Sequence, residues 1–83
     1  MAINFDWFWN HEPECRSRVR RVYRCGKPIG RVRRWRGERP IEVPAEWFTA
    51  ELMKGARYEP IEGTYATFKA ALERIVACCV VLR

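Results

Sequence analysis

The spacing of apolar residues changes partway along this chain. Up to about residue 36 they tend to recur at every second position, and after Thr64 at every third or fourth. A period of two belongs to a strand with one covered face, and a period near 3.6 to a helix lying on a core. Ile3 to Trp9 alternates, placing Phe5, Trp7 and Trp9 on one face and Asn4, Asp6 and Phe8 on the other. Such a row of aromatics suits the core of a small sheet, or a stacking platform for nucleotide bases. The shortage of other residues able to fill a core favours the first reading. Asn10 to Glu14, containing Pro13, is expected to be a loop. Residues 17–25 and 28–36 predict a β-hairpin, because Val19, Val22, Tyr23, Ile29, Val32 and Trp35 favour strands. Cys25-Gly26-Lys27-Pro28 separates the arms. Gly26 accepts the positive φ of a tight turn, and Pro28 cannot donate to a central ladder. The alternation within these arms is irregular, with arginines on both faces.

Gly37 and Pro40 punctuate a turn across 36–40. Residues 44–54 admit two readings. Pro44 and Gly55 could bracket a helix. As a strand, Phe48, Ala50 and Leu52 point inward and Trp47, Thr49 and Glu51 outward. The strand is preferred, since Trp47, Phe48 and Leu52 leave one helical turn unfilled. Lys54-Gly55-Ala56 then turns into a further extended segment, 57–61. Beyond it, Phe68, Ala71, Leu72, Ile75, Val76 and Cys79 form one helical stripe, with Lys69, Glu73 and Arg74 opposite. Thr64 or Thr67 caps this helix, predicted over 64–80, and the β-branched pair Val80-Val81 is expected to fray its end after Cys79. The pattern therefore predicts an α+β fold: an antiparallel sheet of about four strands with one C-terminal helix packed on one face.

Eighty-three residues make a single domain, 1–83, whose small core needs the four Trp, four Phe and three Tyr. The longest apolar run, Ile75 to Leu82, is eight residues, far short of the roughly 18–20 that span a bilayer. The N-terminal stretch lacks the basic region and apolar run of a secretory signal. No membrane association is expected, and a cytoplasmic location is.

Charge changes the picture most. Residues 16–39 hold ten arginines and one lysine against a single acid, Glu38, while the whole chain carries a net charge of only +6. The basicity is one block, and it coincides with the predicted hairpin. Two charged arms about 5 Å apart could straddle a phosphate backbone. Arginine also suits bidentate grips on phosphates or carboxylates. The competing reading is a solvated face in a protein with thirteen Arg and three Lys; the clustering of the charge argues against it. Arg18, Arg20, Arg31, Arg33, Arg34, Trp35 and Arg36 are accordingly the expected partner-binding residues.

No catalytic constellation is legible. His11 lies beside Glu12 and Glu14 in a Pro-containing loop without a second base or a nucleophile pair. Gly26, Gly30 and Gly37 have the wrong spacing for a phosphate cradle. Cys15, Cys25, Cys78 and Cys79 could form two disulfides in a secreted protein, or ligate zinc with His11. The absent signal speaks against the first, and the spacing against the second. Partly buried free thiols are expected, with no metal, no cofactor and no enzymatic activity.

YRCGKPIGRV, then WFTAEL, then RYEPIEGTYATFKAALERI resembles small phage and prophage accessory proteins of the anti-CRISPR kind, over about residues 22–76. Thr67-Phe68-Lys69-Ala70 departs from the pattern in lacking the Glu of a capping box. The resemblance implies a monomeric, non-enzymatic inhibitor acting in the host cytoplasm. Acidic members of this group imitate DNA, and the positive block here has the wrong sign for that. The implied partner is an acidic protein surface of a host nucleic-acid-targeting effector complex. The alternative is DNA or RNA gripped directly by the hairpin.

Overall fold

The structure, a computed structural model, describes residues 3–11, 17–36 and 46–81. The chain forms strands β1 (Ile3–Phe5), β2 (Asn10–His11), β3 (Arg18–Arg24), β4 (Lys27–Arg36), β5 (Glu46–Lys54) and β6 (Arg57–Pro60), then helix α1 (Phe68–Val81). The strands make one antiparallel sheet in the order β1-β3-β4-β5-β6, with β2 also paired to β3. The α+β class is as the periodicity predicts, with six strands among the described residues in place of about four. The helix lies across β4 and β5.

The hairpin of β3 and β4 follows from its turn. Cys25 and Gly26 both take positive φ, 51° and 82°, and two left-handed residues in succession match the twist of the flanking strands. The register then shifts: Tyr23 faces Pro28 and Val22 faces Gly30, leaving Ile29 as the extra residue of a bulge. Pro28 has no N–H to offer the ladder, so an irregularity beside it costs little. Residues 37–45, including most of the turn predicted over 36–40 and the start of the segment predicted from 44, lie outside the described residues.

Segment 46–54 is a strand, with Phe48 and Ala50 buried and Trp47, Thr49 and Glu51 on the other face. The core consists of Val22, Val32, Phe48, Ala50, Ala71 and Ile75, ringed by Trp9, Leu52, Tyr65, Phe68 and Leu72 among others. Ile75 is fully buried, and a side chain so placed contributes about 2–5 kcal/mol over alanine. The helix can sit this close because it crosses the sheet at Gly30. A Cβ there would lie 2.9 Å from Ile75 Cγ2 and 2.4 Å from the Glu51 carbonyl oxygen. Neither approach is available to any other residue.

Two boundaries differ from the sequence reading. The helix begins at Phe68, not at 64, because Tyr65 is held extended by paired backbone hydrogen bonds with Phe48, of 2.8 and 2.9 Å. Thr67 is the cap, its Oγ1 accepting from Ala70 N at 3.1 Å. At the far end the helix runs past Cys79 to Val81. The N-terminal segment, expected as one strand through Trp9, is two. It pairs with β3 as β1, leaves the sheet over Asp6–Trp9 and rejoins the same strand as β2, so Asn10 and His11 belong to the sheet and not to a loop. No helix among the described residues is long and apolar enough to cross a membrane.

Candidate binding surface

Residues facing each other across an antiparallel ladder share a face of the sheet. Arg18 pairs with Arg34 and Arg20 with Val32, while Arg34 pairs with Phe48. Arg18, Arg20, Arg34 and Arg36 therefore stand on the helix side, alongside the core. Arg31 pairs with Glu51, Arg33 with Thr49 and Trp35 with Trp47, so these three stand on the opposite side. The sheet thus separates the expected binding residues into two groups.

The opposite-side group is knitted together. Arg31 Nε and Arg33 Nε both donate to the Glu51 carboxylate, the latter at 3.1 Å. Arg33 is buried and its Nη1 donates to Ser17 Oγ at 2.6 Å. The Arg31 guanidinium lies 4.2 Å from the Tyr58 ring centroid and that of Arg33 5.8 Å from Trp35. Trp35 donates to Thr49 Oγ1 at 3.0 Å and stacks on Trp47, with ring planes 9° apart. A carboxylate shared by two guanidiniums in a partly dry setting offsets one of their two charges. This face uses its charge internally.

On the helix side the charge is less compensated. Glu46 Oε1 accepts from Arg36 Nε at 2.8 Å and lies 3.9 Å from Arg34 Nε. The Arg34 guanidinium is held below its ordinary pKa, first by burial and next by Arg36, with Arg18 and Arg20 adding to the push and Glu46 opposing it. Three cations thus act on Arg34 against one carboxylate. Arg34 and Arg20 both sit over Trp9, at 4.7 and 5.3 Å from its ring centroid, and Arg20 also covers Phe5 and Phe68 at 4.9 and 4.7 Å. These cation–π contacts fix the two side chains against the rings. Arg18 and Arg36 are exposed.

Beside this row stands a feature the alternation concealed. Trp7 and Phe8 are 86 % and 80 % exposed, at the tip of the excursion between β1 and β2. Phe5 and Trp9 turn toward the helix, each making an edge-to-face contact with Phe68. The core reading of Phe5, Trp7 and Trp9 therefore holds for Trp9 alone: Trp7 stands in solvent, and Phe5 is exposed at the sheet margin despite its contact with Phe68. Asp6 shapes the excursion: its Oδ2 accepts from Asn10 Nδ2 at 2.9 Å and from Arg21 N at 3.1 Å, and its Oδ1 from Tyr23 OH at 3.1 Å. Burial first, and then Asp6, raise the Tyr23 pKa, so the phenol keeps its proton and goes on donating. Arg20 closes the loop from the sheet side, donating to Asp6 O at 2.8 Å and Trp7 O at 3.1 Å. The tip and the arginine row are joined through that side chain. The only cue in the sequence was Asp6, a carboxylate able to accept backbone N–H groups and stop a strand.

His11 is exposed on β2 and Cys25 exposed at the hairpin turn; Cys78 and Cys79 are half-buried on α1, Cys79 Sγ lying 3.6 Å from Arg24 Nη1. Among the described residues no three His, Cys, Asp or Glu side chains gather as a metal site would require; Cys15 lies outside them. No protein family, curated protein or solved structure significantly matches this chain.

Proposed function

We propose that this protein is a non-enzymatic binding protein that seats the helix-side arginine row on a polyanionic surface of a host nucleic-acid-targeting effector complex, as a phage-encoded inhibitor of the anti-CRISPR kind. The observation behind this reading is the asymmetry of the sheet. Glu51 pairs with Arg31 and Arg33 on one face and Glu46 with Arg34 and Arg36 on the other, and only the second face adds Arg18 and Arg20, for which no ion pair stands among the described residues. Like charges held together on a rigid ladder cost free energy that an anionic partner would recover. Partial burial of Arg34 and its stacking on Trp9 preorganise the row, lowering the ordering cost of binding. Arg31, Arg33 and Trp35 then act as the frame that keeps β4 and β5 in register.

Cleavage of a target plasmid by purified CRISPR effector complexes, with and without this protein, tests the proposal. Wild-type protein inhibits at least one effector class, and the double reversal Arg18→Glu with Arg36→Glu abolishes inhibition while circular dichroism stays unchanged. Undiminished inhibition by that variant, or no inhibition of any effector class, overturns the reading.

A further inference from the structure

The excursion between β1 and β2, tied to Arg20 through the Trp7 carbonyl, carries two rings that the core does not use. Trp7 and Phe8 are adjacent, almost fully exposed and held on a loop pinned from both ends, by Asp6 to Asn10 and Arg21 and by Arg20 to the Trp7 carbonyl. Two large rings left in water are costly in a chain whose small core needs aromatic side chains. The loop that carries them is joined to the arginine row through Arg20, and that neighbourhood says what they meet. We infer that Trp7 and Phe8 stack on unpaired bases of a single-stranded nucleic acid whose phosphates lie along Arg18, Arg20, Arg34 and Arg36.

Charge complementarity and shape select this occupant. A polyanion suits a row of four guanidiniums of which only Arg34 and Arg36 pair with a carboxylate among the described residues. Exposed flat rings have a use for it only where bases are unstacked, which excludes a closed duplex, whose base faces are hidden. Stacking tolerates any base, so the site reads backbone and π-face, not sequence. An effector complex offers such strands, as guide or as displaced target, so the inference rests on the proposed function and names the partner for that same surface.

The test is fluorescence anisotropy of the full chain with a labelled dT12 oligonucleotide. Binding at 50 mM salt should fall about fifty-fold by 200 mM, as expected for about four single-strand phosphate contacts. Trp7→Ala with Phe8→Ala should weaken it about ten-fold or more, and Trp7→Phe should retain most of the affinity because a ring remains. Both rings are exposed, so circular dichroism of these variants should match the parent. The inference is overturned if dT12 does not bind at 50 mM salt, or if the double alanine variant binds like the parent. Equally tight binding of a 12-base-pair duplex, a poly-glutamate peptide or phosphatidylserine vesicles also overturns it. Absent dT12 binding alongside charge-dependent inhibition of an effector would sink this inference alone. Ring-dependent dT12 binding without any inhibition would sink the proposed function alone.

Discussion

At the scale of single residues the tightest constraint is Gly30. A methyl group there would meet a backbone oxygen, which cannot rotate away, as well as Ile75. Gly30→Ala should therefore destabilise the fold by about 1–3 kcal/mol, as overpacking does, read as a lowered midpoint in urea with an unchanged slope. An unaltered midpoint would mean that β5 and α1 yield freely at this crossing. Nothing local announced the constraint, because the carbonyl belongs to Glu51 and the methyl to Ile75. Trp7 was hidden for a related reason. Its alternation with Phe5 and Trp9 is unbroken in the sequence, and only the hydrogen bonds of Asp6 interrupt the strand. Face assignment along the arginine arms was equally illegible. Arginine occupies both sides, and the carboxylates that sort those sides come from β5, outside the arms.

Elements were easier to read. The apolar stripe of α1 and the alternation of β5 are each contained within a few turns or residues, so periodicity found both. The start of α1 was not, because two threonines offered equal caps and the choice is made by Tyr65 pairing with Phe48 across the core. That choice is testable. Thr67→Ala should cost about 1 kcal/mol of stability through the lost bond to Ala70 N, whereas Thr64→Ala should leave the thermal midpoint unchanged. Equal effects of the two, or a larger effect at Thr64, would place the helix start a turn earlier.

Across the whole molecule, which carries a net charge of +6, the described residues of the sheet divide into a face where Glu51 pairs with Arg31 and Arg33 and a less compensated one where Glu46 meets a row of four arginines. Self-repulsion on the second should be visible without any partner. Arg18→Glu places a carboxylate opposite Arg34 and two residues from Arg20, so it should raise the thermal midpoint at low ionic strength. The gain should shrink in 0.5 M salt, since exposed charges are screened over about 10 Å already at 0.1 M. A midpoint that falls at low salt would show that the row is not repulsive. Improved stability together with lost binding would identify the arginines as retained for the partner and not for the fold.

The interrupted pairing along β3 has a further consequence, for behaviour at high concentration. One margin of the sheet is formed by two short strands of three and two residues with an excursion between them, and the other by a four-residue strand ending in Pro60. Among the described residues, a neighbouring molecule seeking to extend the sheet finds no long run of open donors and acceptors on either margin. Short edges and a terminal proline are how β-proteins resist joining edge to edge into fibrils. The loop that exposes two aromatic rings thus also keeps the strand behind it from serving as a template for aggregation.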